Sequence, residues 1–145
     1  MENNELSDLT TFDDYKMNGW LVENVATTIE KRGTQFYLLK PQSVPGNLNM
    51  WKLLPLKNER SYTLRMIGEG ESRIRFVIAT EKDVLSEGEI KFDGFHGVLS
   101  NPFTTKGIDE LKTKLVLSFY NLSPNPQDNV LKLAELHLIE IPEHK

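Results

Sequence analysis

From residue 115 onward the chain supplies two long stretches suited to a β-sheet and nothing suited to a helix after them. Leu115-Val116-Leu117-Ser118-Phe119-Tyr120 is the first, rich in the β-branched and aromatic residues that pack well on a pleated surface. Residues 121–129 hold Pro124, Pro126 and three asparagines, a composition that turns the chain and withholds ladder donors. Leu131-Lys132-Leu133-Ala134-Glu135-Leu136-His137-Leu138-Ile139-Glu140-Ile141 then reads as a long closing strand. A strand in that position must find backbone partners among earlier strands. With no helix to cover the resulting sheet, a second sheet must cover it. The expected architecture is therefore an all-β antiparallel β-sandwich.

The 145 residues, 39% hydrophobic and 26% charged, suit a single domain with one core. Seven Phe, four Tyr and two Trp fall mostly inside expected strands, where large rings fill the space between two sheets. A formal charge of −4 argues against nucleic acid as a partner, since gripping phosphates requires an excess of Lys and Arg. Arg60, Arg65, Arg73 and Arg75 form one local basic group in the sequence. The absence of cysteine removes disulfides, thiolate catalysis and sulfur-ligated zinc. The acidic opening Met1-Glu2-Asn3-Asn4-Glu5 has neither the basic start nor the apolar run of a secretory signal, and no apolar run reaches the ~18 residues that a membrane helix requires.

Residues 1–11 are expected to form a flexible or partner-docked arm, with the sandwich spanning 12–145. Residues 20–25 open the strands, and 27–30 and 35–39 flank a Lys31-Arg32-Gly33 turn as a hairpin. Residues 40–49 carry two prolines, Gly46 and two asparagines, and read as a long surface loop. Trp51-Lys52-Leu53-Leu54-Pro55-Leu56 resumes extended structure, with Pro55 at an edge or strand end. Tyr62, Leu64 and Met66 alternate against Thr63 and Arg65, and Ile74, Phe76 and Ile78 against Arg73, Arg75 and Val77. The turn residues 68–72 between them predict a second hairpin whose wet face carries the arginines. Weaker signals place short strands at 89–93 and 97–99, and residues 109–112 are too few for a stable helix.

Three spaced pieces carry a resemblance over about residues 12–141: Trp51-Lys52-Leu53-Leu54-Pro55-Leu56 followed by Tyr62-Thr63-Leu64; Phe103-Thr104-Thr105 leading to residues 115–119; and residues 133–140. In order and spacing the chain resembles the jelly-roll carbohydrate-binding modules attached to glycan-degrading enzymes, and related sandwiches of bacteriophage tail and baseplate proteins. Many such modules hold a structural calcium with an aspartate pair in the closing strand. Here that place reads Leu133-Ala134-Glu135, and one carboxylate falls short of the six to eight oxygens calcium takes, so no metal and no cofactor are expected.

Candidate chemistry is sparse. His96, His137 and His144 have no metal-ligand spacing, and the pairs Asp13 with Asp14 and Glu69 with Glu71 lack an apolar setting that would separate their pKa values. No catalytic residue is expected, because catalysis requires several converging groups. Glycan binding requires a flat ring against a sugar's apolar face and polar groups for its hydroxyls. Trp20, Tyr37, Trp51, Phe95 and Tyr120 are the aromatic candidates. Of these, Tyr37 and Trp51 flank the long loop, so they would border one groove with Gln42, Asn47 and Asn49.

The expected role, drawn partly from the resemblance, is that of a non-enzymatic bacteriophage virion protein of the tail, baseplate or capsid surface, assembled in the host cytoplasm. Its partners would be other virion proteins, its own copies, or cell-surface polysaccharide, without a membrane. The alternative is an extracellular carbohydrate-binding module of a larger secreted glycan-active enzyme.

Overall fold

The computed structural model describes residues 6–23, 28–39, 47–70, 73–91, 94–108, 110–121 and 132–141. They form eleven strands: β1 Ser7–Thr10, β2 Leu21–Val22, β3 Thr28–Arg32, β4 Gln35–Leu39, β5 Asn47–Leu54, β6 Ser61–Gly70, β7 Arg73–Ala79, β8 Val84–Lys91, β9 Gly94–Thr104, β10 Thr113–Asn121 and β11 Lys132–Ile141. One sheet runs β3-β4-β11-β6-β9, with β1 also paired to β11, and the other runs β2-β5-β10-β7-β8. Every pairing is antiparallel. The fold is the expected all-β jelly-roll sandwich.

Its interior follows from strand alternation. Tyr62, Leu64 and Met66 of β6 face Leu115, Leu117 and Phe119 of β10, Phe76 and Ile78 of β7, and Leu48 and Met50 of β5 across a single buried cluster. In β11 the buried positions are Leu133, Leu136, Leu138 and Glu140, which breaks the period of two after Leu133. A register shift between Leu133 and Glu135 against β6 accounts for it, because a β-bulge admits one extra residue and reverses the faces beyond it. Gly88 of β8 serves close approach: a Cβ there would stand 3.0 Å from the Phe76 ring.

The β3–β4 hairpin forms as the sequence predicts, turning through Gly33 at φ +61°. The second expected hairpin does not. β6 pairs with β9 and β11 in one sheet and β7 with β8 and β10 in the other, so the two strands face each other across the sandwich instead of lying side by side. Alternation assigns each strand a buried face but does not name its neighbour, and two apolar faces meet as well across the sandwich as side by side. This placement also divides the arginines: Arg65 is exposed on the six-stranded sheet, Arg75 on the five-stranded one. Arg60 lies 3.8 Å from the buried Glu140.

Two further expectations are corrected. The arm drawn over 1–11 is, from Ser7, a strand in register with β11, from Ser7 opposite Ile139 to Thr10 opposite Leu136. Of the short strand expected at 89–93, residues 89–91 end the longer β8 and 92–93 lie outside the described residues, while the one expected at 97–99 lies within the longer β9, which Phe103 and Thr104 close.

The connection from β1 to β2 carries the chain between sheets. Phe12, Asp14, Tyr15 and Asn18 all have φ between +50° and +65°, a conformation that costs a bulky residue about 1–2 kcal/mol. Burial of Phe12 to 1% exposure and an edge-to-face contact of Tyr15 on Phe36, 5.2 Å between centroids, offset that cost.

Candidate functional site

The outer face of the five-stranded sheet can be laid out from its register. Leu21 of β2 lies opposite Trp51 of β5, Trp51 opposite Val116 of β10, Val116 opposite Ala79 of β7, and Ala79 opposite Val84 of β8. This row crosses all five strands without a polar residue. At the usual strand spacing it is about 19 Å long. Leu21 and Val84 at its ends are 52% and 58% exposed, and Leu53, beside it, is 50% exposed. Trp51, Val116 and Ala79 between them are partly buried, so the row is a continuous apolar surface with exposed ends and a candidate for interaction.

The next row reads Asn49, Ser118, Val77 and Glu87, and the one beyond it places Tyr120 opposite Arg75 and Arg75 opposite Glu89. Trp51 and Tyr120 thus sit on the same face, about 13 Å apart along the strand direction. A cation lies over each ring: the Lys114 ammonium 4.5 Å from the Trp51 centroid, and the Arg75 guanidinium 5.8 Å from that of Tyr120. Arg75 also meets Glu87 at 3.3 Å, with both side chains about half exposed. Apolar area with flanking amide, hydroxyl, carboxylate and guanidinium groups is the composition a sugar requires.

The sequence candidates separate cleanly. Trp51 and Asn49 lie on this face, as does Tyr120. Trp20 is withdrawn from it: the ring is 2% exposed, and its Nε1–H donates to Thr10 Oγ1 at 3.1 Å, so it has no face to offer. Tyr37 is withdrawn as well, being 3% exposed and in the other sheet from Trp51, so the two border no common groove. Gln42 lies outside the described residues, as do the side chains of Asn47, Phe95 and His96. Lys114, Ser118, Val116 and Leu21 went unnoticed in the sequence. The alternation Lys114, Val116, Ser118, Tyr120 was available as a signal, but joining it to Trp51 requires the register of β10 on β5. Among the described residues no three His, Asp or Glu converge as a metal site, and no helix is long and apolar enough to cross a membrane.

No family model and no curated protein matches the chain. Solved structures do. The N-terminal cellulose-binding domain of the β-1,4-glucanase C of Cellulomonas fimi superposes with a TM-score of 0.62 at 12% identity, covering 95% of this chain and 96% of that one. A family 35 carbohydrate-binding module from Clostridium thermocellum gives 0.60 at 7% identity over 92% and 97%. The fold is that of the carbohydrate-binding modules. The enzymatically active domain of a bacteriophage CBA120 tailspike is also similar, with a TM-score of 0.56 at 7% identity, covering 89% of this chain and 20% of that one. The likeness is one of fold, and the side chains on the outer face are particular to this chain.

Proposed function

We propose that the protein binds polysaccharide on the outer face of the five-stranded sheet and acts by binding, without catalysis. The observation that carries this is the apolar row of Leu21, Trp51, Val116, Ala79 and Val84, bordered by the row of Asn49, Ser118, Val77 and Glu87, polar at three of its four positions. A glycan chain laid across the strands rests the apolar faces of its rings on the first row and turns hydroxyls toward the second. Trp51 is the anchor, because a large rigid ring gains contact area at little cost in conformational entropy.

Titration of the intrinsic tryptophan fluorescence with a panel of cell-wall and soluble polysaccharides tests the proposal. A saturable change is expected from Trp51, since Trp20 is shielded, and Trp51→Ala is expected to abolish binding measured by calorimetry. A panel in which no polysaccharide perturbs the fluorescence overturns it.

Two settings use such a face. A bacteriophage virion, where the sandwich also touches partner virion proteins, is supported by the likeness to the tailspike domain. A module within a larger secreted glycan-active enzyme is supported by the likeness to the glucanase domain. Co-purification with phage particles favours the first, and a catalytic domain encoded in the same reading frame favours the second.

A further inference from the structure

We infer that the sugar held at Trp51 is an acidic one, so that the ligand is an anionic polysaccharide bearing carboxylate or sulfate groups. This rests on the glycan-binding reading of the same face. The two rings there are covered by cations held in different ways. Arg75, over Tyr120, already meets Glu87, so its charge is matched before any ligand arrives. Lys114, over Trp51, has no carboxylate partner among the described residues. Its cross-strand neighbours toward β5 are Leu53, opposite it, and Trp51, and the next outward residue of its own strand is Val116.

A sugar stacking on the covered side of the indole must displace the ammonium. A neutral sugar returns only hydroxyl contacts for the lost cation–π interaction. An acidic sugar returns an anion, and the ammonium exchanges the ring for a charge-assisted hydrogen bond at the moment the ring is uncovered. Glu87 does not cancel this attraction. It stands two strands and four residues from Lys114, about 16 Å by strand spacing and rise. That exceeds the screening length of about 8 Å at physiological ionic strength. The face is thus divided, with an anion position at Trp51 and a charge-matched position at Tyr120.

The test is calorimetry of the full chain with polygalacturonate, dextran sulfate and a neutral mixed-linkage β-glucan, at low and physiological salt. At least one acidic polymer is expected to bind about tenfold more tightly than the neutral one, as one partly shielded ion pair would give. The stronger of polygalacturonate and dextran sulfate identifies the acidic group. Lys114→Met is expected to erase that advantage, and Arg65→Met, an exposed charge on the other sheet, to leave it in place. Binding of the neutral polymer as tight as the acidic ones, and dependent on Trp51, overturns the acidic-sugar inference and leaves glycan binding intact. An equal loss from Arg65→Met overturns it too, by making the attraction general. Failure of every polymer to bind overturns both readings together.

Discussion

Trp51 and Lys52 are consecutive residues of β5 that face opposite ways, and each belongs to a tryptophan–lysine setting. Inside, near Trp20, the Lys52 ammonium meets Asp8 Oδ1 at 2.7 Å, both side chains 15% exposed, tying the five-stranded sheet to β1 of the other. Asn18 Nδ2 donates to Leu9 O and Thr10 Oγ1 at 3.0 Å each, and Trp20 donates to the same Thr10 oxygen. Outside, the Lys114 ammonium lies over Trp51, and among the described residues that ammonium has no carboxylate partner. The inner setting completes the partners of its cations and rings within the chain. The outer one leaves them open to a ligand, and that contrast supports the role proposed for Trp51.

The largest expected effect comes from exchanging the roles of the two rings. Trp20→Ala is expected to lower the unfolding free energy by about 3–5 kcal/mol, as removal of a fully buried aromatic does. Trp51→Ala, at a partly buried ring, should cost clearly less, about 1–2 kcal/mol, while removing glycan binding. Urea denaturation of both variants measures the pair. Equal losses of stability would show that the outer ring is structural after all and break the comparison.

How much of this was legible beforehand differs between strand faces and strand neighbours. The alternation of Tyr62, Leu64 and Met66, and of Phe76 and Ile78, identified buried positions correctly, because burial on a strand is a local, period-two property. The pairing of β6 with β9 and β11 was not legible, since any strand with one apolar face satisfies that face equally in either sheet. The same limit governed the site. Trp51, Asn49 and Tyr120 stood out by residue type, whereas Ser118 and Lys114 come to light only through the register of β10 against β5. Residue type alone does not separate Trp20 from Trp51, and it is the fold that encloses the first and leaves the second on the outer face.

The two lysines give the next effect. Asp8→Ala strands the Lys52 ammonium at the sheet junction and is expected to cost about 1–3 kcal/mol, below the 3–5 of a fully buried pair because water still reaches both groups. Asp8 Oδ2 is buried without a hydrogen-bond partner, which lowers the net value of the pair further. Lys114→Met should change stability by no more than about 0.5 kcal/mol, the scale of an exposed cation–π contact. A thermal-melt comparison of the two variants sharpens the contrast. A loss at Lys114 matching that at Asp8 would mean that the outer ammonium is needed for the fold.

The smallest effect separates the two tyrosines, Tyr62 inside and Tyr120 outside. Tyr62 is fully buried, stacked on Phe103 at 5.7 Å, and its hydroxyl oxygen accepts the Lys57 backbone N–H at 2.9 Å. Burial pushes its phenol above the ordinary value of 10.0, and the donated N–H only partly opposes that. The folded state then holds the proton more tightly than the unfolded chain. Its contribution is fully present below pH 10 and is lost as pH rises through the raised folded value, because the unfolded phenol ionises first. Tyr62→Phe is expected to cost about 1 kcal/mol at neutral pH, from the unpaired Lys57 N–H. Above pH 10 its stability should fall less steeply than that of the parent, so the two curves converge. Urea midpoints at pH 7, 9, 10 and 11 check the sign. Curves that stay parallel across that range would mean the Tyr62 phenol ionises as freely in the fold as out of it.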